Sequence, residues 1–185
     1  MTAATFPQAR IVAERVVLRS FGPADVTDVR RACSDELVQR WTSVPCPYTD
    51  EHARAWCRKI APQIRESGDG VAFAVADPLT DRFLASIDLK NTNWWTRVTE
   101  VGYLAAPWAR GRGLTAEAVR ALARWLFTEQ AFERLELRAA TGNHASRRVA
   151  EKAGFTCEGV LRSAGLVKAG RVDHAVYSLV RGDLR

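Results

Sequence analysis

The sequence predicts an α/β domain, an α+β arrangement on one mixed sheet. Three observations carry that prediction. Short runs rich in β-branched and aromatic residues recur from Glu14 to Val180. Stretches with apolar residues at helical spacing separate some of them. Two of the runs, "VAFAVAD" and "FLASIDLK", are joined only by the turn "PLTD", which makes at least part of the sheet antiparallel.

The elements follow in order. "ERVVLRSF" (Glu14–Phe21) reads as the first strand. Gly22 and Pro23 then open a helix with an acid in its first turn. Ala53, Trp56, Cys57, Ile60, Ala61 and Ile64 recur at helical spacing, and Pro62 should kink or shorten that second helix. The hairpin Val71–Asp77 and Phe83–Lys90 comes next, then a central strand Thr99–Ala106. Gly102 inside that strand suggests a bulge or a close backbone approach. A helix from Leu114 carries the stripe Leu114, Ala118, Ala121, Leu122, Trp125 and Leu126, with Glu117, Arg120 and Arg124 opposite. "RLELRAA" (Arg134–Ala140) is a strand. Asn143 caps a short helix that ends at Gly154, and two strands, Phe155–Ser163 and Val172–Val180, close the chain.

A chain of 185 residues fits one domain, residues 1–185, with room for a real core. A hydrophobic share of 47% with 26% charged residues is that of a globular chain rather than a disordered one. No run approaches the ~18 apolar residues of a membrane span. The first twenty residues lack the apolar core of a signal peptide, so a cytoplasmic location is expected. Cys33, Cys46, Cys57 and Cys157 form no CxxC pair, and with three histidines there is no metal-ligand spacing. Reduced thiols and no metal are therefore expected. The net charge of +6 suits an anionic ligand. Spread along the whole chain, it reads as a solvated surface rather than a nucleic-acid footprint.

The segment "WARGRGLTAEAVRAL" (Trp108–Leu122) concentrates the chemistry. Gly111 and Gly113 stand among Arg110 and Arg112 at a helix start. The first N–H groups of a helix are unpaired and its dipole favours negative charge, so the segment is a credible phosphate cradle. A plain surface turn would use the same residues. A P-loop is excluded, because GxxxxGK[ST] is missing. "GRGLTA" satisfies G-x-G-x-x-A, but the next strand ends "LRAA" without the acid that a dinucleotide fold places there.

Three motifs decide among these readings. The loop Arg110-Gly111-Arg112-Gly113-Leu114-Thr115 follows "EVGY" (Glu100–Tyr103) and precedes "NHASRRVAEKAGFTCEG" (Asn143–Gly159). Together they resemble the GCN5-related N-acetyltransferase (GNAT) superfamily, and within it the RimJ/RimL-like ribosomal-protein acetyltransferases. "ERVVLRSFGPAD" is similar to that branch's opening strand and helix, so the likeness covers nearly the whole chain. One departure is Thr115, where Gly or Ala is usual.

The resemblance implies a largely antiparallel central sheet, splayed at the cofactor site, with about four helices. It implies acetyl-CoA as co-substrate and a primary amine as acceptor, either a protein N-terminus or a small molecule. The amides from Arg110 to Thr115 would hold the pyrophosphate. Leu104, Ala105 and Ala106 would bind the pantetheine arm, and a bulge amide near Gly102 would face the thioester oxygen. Ser146 would stabilise the leaving thiolate, with Tyr103 and Tyr177 as substitutes. Asn143 touches the cofactor or merely caps its helix. Glu100 is the first candidate for the base, ahead of Asp88 and Asp173. The acceptor pocket would draw on Trp41, Tyr48, Trp94 and Trp95, each of which would equally suit core packing or a homodimer contact. A non-catalytic module binding acyl-CoA or nucleic acid is the alternative. It would need neither Glu100 nor Ser146.

Overall fold

The computed structural model describes residues 4–184, so the first three residues and the last one of the expected domain lie outside the described residues. Eight strands form one sheet in the order β1-β2-β3-β4-β5-β6-β8-β7. They are β1 (Ile11–Val12), β2 (Val17–Arg19), β3 (Val71–Ala76), β4 (Phe83–Asn93), β5 (Val98–Ala105), β6 (Arg134–Ala140), β7 (Thr156–Val167) and β8 (Gly170–Val180). Every neighbouring pair is antiparallel except β5 and β6. The mixed sheet predicted from the sequence is present.

The expected first strand is shorter than read, because Glu14 and Arg15 turn the chain between β1 and β2. After a single turn at Pro23–Asp25, α1 spans Val26–Cys33. Here Asp25 is buried and accepts from both Nη atoms of Arg19 and from the Gly22 amide. The sequence reading missed α2 (Glu36–Trp41), a six-residue helix capped by Asp35, whose carboxylate accepts from the Leu37 and Val38 amides. It is too short to display a periodic stripe. The expected second helix runs as α3 (Asp50–Ala55), a π turn (Trp56–Ile60) and α4 (Ala61–Ser67). Pro62 lacks an N–H, and the looser π turn lies directly before it, which absorbs the kink expected there. With α5 (Leu114–Thr128) and α6 (His144–Ala153), and with α3–α4 taken as one interrupted helix, the described residues hold five helices, one above expectation.

Helix α5 is the core's main pillar. Leu122, Ala123, Leu126 and Phe127 are all buried, and Trp125 packs edge-on to Phe73 at 5.9 Å between ring centres. Phe6 stacks on Phe132 at 5.4 Å. Glu117 does not face solvent with Arg120 and Arg124 as the stripe suggested. It is buried, and its carboxylate accepts from the Arg15 amide and Nε, both at 2.7 Å. That ties the β1–β2 turn to the start of α5.

The sheet opens where β5 meets β6. Their parallel pairing covers only Val98–Glu100 against Arg134–Glu136. Beyond it, β5 keeps pairing with β4 as far as Ala105, while β6 keeps pairing with β8 as far as Ala140. Each strand follows its own outer partner, and a cleft opens between them. No bulge sits at Gly102: it faces Asp88 in regular register, and the irregularity lies at Lys90–Asn93. The close neighbours of Gly102 are side chains rather than the backbone segment expected as the alternative. A Cβ there would come within 3.3 Å of both Asp88 carboxylate oxygens and 3.2 Å of Lys90 Nζ, so the glycine leaves room for two charged side chains.

Candidate active site

Two features define the site, and β5, which ends at Ala105, leads from one to the other. One is the turn from Arg110 to Gly113 that starts α5. Gly111 and Gly113 both have φ of +76°, a region that L side chains enter only with strain. A Cβ on Gly111 would touch nothing within 4 Å, so the outer side of the turn is open. Leu114, Thr115 and Ala116 are buried and seat the helix start against the domain. Their amides precede the first intrahelical bond, from the Glu117 amide to the Gly113 carbonyl, and so remain free for an anion. Thr115 points inward, so its branched side chain does not crowd that opening.

The arginines of the turn divide. Arg110 pairs with Asp35, the cap of α2, so its guanidinium fixes the turn to a second helix. This contact is the main reason why the Asp35 carboxyl titrates below the ordinary range; burial opposes it. Arg112 is exposed, and its carbonyl accepts from Arg15 Nη1 at 3.1 Å. Arg15, which the sequence reading did not single out, thus braces the turn from a distant segment.

The second feature is the cleft. Ala106 donates its amide to the Leu84 carbonyl at 2.9 Å. Main-chain direction alternates along a strand, so Leu104 also turns towards β4 while Tyr103 and Ala105 turn towards the gap. On one side of the gap lies a hydroxyl pair. Tyr103 donates to the Ser146 main-chain carbonyl at 2.9 Å, and Ser146 Oγ donates to the Tyr103 oxygen at 3.2 Å. Burial pushes the Tyr103 phenol well above its ordinary range, so it stays a neutral donor. Asn143 accepts from the Ser146 amide and caps α6, which holds this pair in place. Tyr177, by contrast, is fully buried and engaged with Arg147 and Glu151.

The same gap opens into a cavity of about 450 Å³ under α1 and α2, which Tyr103, Asn143 and Ser146 also line. Trp41 and Tyr48 reach it, although Tyr48 is 9% exposed and mostly core. Trp94 and Trp95 do not. The Trp94 indole lies 4.7 Å from Phe6 and 5.3 Å from Phe132 and donates to the Gly68 carbonyl, while Trp95 stands 94% exposed beside the β4–β5 turn. Apolar packing claimed the first and the turn geometry expelled the second.

Charged side chains from four strands form the cavity floor. They are Asp88 and Lys90 of β4, Glu100 of β5, Arg138 of β6 and His174 of β8. Glu100 is heavily engaged: Lys90 Nζ lies 3.5 Å from Oε1, and Asn91 Nδ2 and Arg138 Nε lie 3.2 and 3.7 Å from Oε2. Burial lowers the His174 pKa; Glu100 opposes that, and Arg138 and Lys90 add to it. Asp173 points elsewhere and accepts from the exposed Ser163 amide. Sequence reasoning missed Arg138 and His174, because nothing in a linear pattern places β6 against β5 or β8 against β6. Among the described residues, no group of three or more His, Cys, Asp or Glu could hold a metal. All four cysteines are unpaired thiols.

An antiparallel sheet split beside a glycine turn at a helix start defines the class of an acyl-CoA transferase fold. The "Acetyltransferase (GNAT) domain" family model matches residues 15–156, and the chain belongs to that family. It is 36% identical over 95 residues, 51% of this chain and 52% of the relative, to a candidate ribosomal N-acetyltransferase, YdaF, of Bacillus subtilis (strain 168). The match thus spans about half of that relative's length. Among solved structures it is similar to RimJ of Mycobacterium smegmatis in complex with CoA-disulfide, with a TM-score of 0.85 and 20% identity, covering 96% of this chain and 90% of that one. It is also similar to RimL, a ribosomal L7/L12 alpha-N-protein acetyltransferase solved with Coenzyme A, with a TM-score of 0.83 and 18% identity, covering 96% of this chain and all of the other. At these identities the two structures establish the fold alone.

Proposed function

We propose that the protein transfers an acetyl group from acetyl-CoA to a primary amine, in the manner of the RimJ/RimL-like N-terminal acetyltransferases. The observation that carries this reading is an unpaired β5 edge that holds Ser146 through Tyr103 and runs within a few residues of chain into the open Gly111–Gly113 turn. Acetyl-CoA would supply a thioester carbonyl as the electrophile.

The residues divide the work by position. Free amides at Leu114, Thr115 and Ala116, with Gly111 and Gly113 shaping the approach, hold the pyrophosphate. Arg112 adds charge at the exposed edge, while Arg110 and Arg15 keep the turn in shape. The main-chain groups of Tyr103 and Ala105 hydrogen-bond the pantetheine arm as a further strand would, with Leu104 and Ala106 anchoring that edge to β4. Ser146, whose hydroxyl donates to the Tyr103 oxygen in the free protein, turns that one proton to the departing sulfur when CoA is bound. A thiol has a pKa near ~8.5, far below an alcohol's, so Ser146 stabilises the thiolate rather than fully protonating it. The amine enters from the cavity side past Trp41. An α-amino group, with a pKa near ~8, is neutral at physiological pH far more often than a lysine near ~10.4, which favours protein N-termini as acceptors.

A thiol-release assay tests the reading, with acetyl-CoA against N-terminal peptides of ribosomal proteins, aminoglycosides, amino acids and polyamines. Amine-dependent release of CoA is expected. Binding of CoA without release against any amine would make the protein a non-catalytic module.

A further inference from the structure

Proton removal from the acceptor requires a carboxylate that is free to receive an ammonium group, and the cavity floor holds two that differ sharply. Both oxygens of Glu100 are already engaged by Lys90, Asn91 and Arg138. Among the described residues, Asp88 makes no side-chain hydrogen bond and no ion pair within 4.0 Å, yet it lines the cavity. Its register partner is Gly102, whose missing side chain leaves the space where the carboxylate lies. Gly102 directly precedes Tyr103, which holds Ser146. Asp88 therefore stands one residue along from the cleft, on the cavity side of the sheet.

We propose that Asp88 is the carboxylate that binds the acceptor's ammonium and takes its proton, while Glu100 serves to balance Lys90 and Arg138. This rests on the acetyl-transfer reading above. The ammonium donates one proton to the Asp88 carboxylate, and the neutral nitrogen attacks the thioester carbonyl carbon. As the N–C bond forms, the C–S bond breaks, and sulfur leaves with its electron pair towards the Ser146–Tyr103 hydroxyls. The second nitrogen proton passes to the thiolate, and Asp88 returns its proton to water through the open cavity. The sum is an amide, CoA thiol and one proton released.

The surroundings favour this role. Burial raises the Asp88 carboxyl above the ordinary range; nearby Lys90 opposes the shift and Glu100 adds to it. A raised value brings the acid closer to the amine it must deprotonate. The other titratable groups facing the cavity are Arg138, His174, Tyr103, whose phenol burial raises, and Cys33 and Tyr48 on the helical side. Burial pushes the Cys33 thiol up to about 11 and raises the Tyr48 phenol further, so neither changes charge near neutral pH. The sign for stability follows from the same shift. The folded protein holds the Asp88 proton more tightly than the unfolded chain, so stability is lost as pH rises through the folded pKa.

Alaninamide, an α-amine with a neutral carboxyl end, is a suitable probe. Its binding is followed by the NMR shift of the Gly102 amide, and its acetylation by thiol release from acetyl-CoA. Asp88→Asn is expected to abolish the shift and lower kcat/KM about a hundredfold. It should also remove the acid limb of the pH profile and leave Tm at neutral pH unchanged or higher. Glu100→Gln is expected to keep the shift and lower kcat/KM less than tenfold. A lowered Tm in Asp88→Asn would overturn the proposal, since it would mark a structural ion pair. So would a shift that survives in Asp88→Asn, or one that the wild type never gives. A wild type that shifts with alaninamide but binds no CoA would instead sink acetyl transfer and leave the ammonium site standing.

Discussion

The two sides of the cleft are built in opposite ways. The cofactor side is contiguous: Arg110 to Thr115 supply turn, charge and helix start within six residues. The cavity side is assembled: Asp88, Glu100, Arg138 and His174 come from four strands and meet only through sheet register. A ligand shared by a whole family is held by main-chain groups that a short motif can encode. A variable acceptor would be met by side chains whose grouping no local pattern announces: Asp88, Glu100 and Trp41 could be named singly from the sequence, but not their meeting with Arg138 and His174.

The sharpest way to break this comparison is Gly113→Val. The space beside Gly113 is open, with only Arg15 Nη2 at 3.8 Å from a built Cβ, so the cost lies in the positive φ. Strain of about 1–3 kcal/mol at that residue would turn the amides away from the pyrophosphate. Calorimetry is expected to find CoA binding weakened about a hundredfold, with the circular dichroism spectrum retained. Next is Ser146→Ala, which removes one hydrogen bond to a developing charge, about 1.5–3 kcal/mol. Steady-state kinetics should find kcat reduced at least about tenfold and the CoA Kd little changed.

Smaller effects sharpen the same contrast. Trp41→Ala should raise the acceptor KM several-fold, whereas Trp95→Ala should shift it less than twofold, because only Trp41 reaches the cavity. Asn143→Ala removes the cap of α6 and should cost about 1 kcal/mol in thermal unfolding. Its effect on kcat would be indirect, through the placing of Ser146.

Much of the fold was legible for the same reason as the turn. The strand Arg134–Ala140 and the helix closing at Gly154 were read from alternation and caps alone, and both stand at those limits. What escaped were features set by distant partners. Glu117 looked like a surface residue until Arg15 met it across 102 positions. The cleft was expected from a bulge at Gly102, yet it arises because β5 and β6 pair over three residues and then part. Trp94 and Trp95 were adjacent candidates for one pocket, and apolar packing drew the first away from it while the β4–β5 turn left the second in solvent.

In the proposed reading, the Gly111–Gly113 turn and the unpaired β5 edge together seat CoA. A crystal structure of the wild-type protein soaked with CoA tests it most directly. The account predicts the pyrophosphate against the amides of Leu114, Thr115 and Ala116, with the pantetheine arm running along Tyr103 and Ala105 towards Ser146. A nucleotide bound away from the start of α5, with the cleft between β5 and β6 empty, would contradict it.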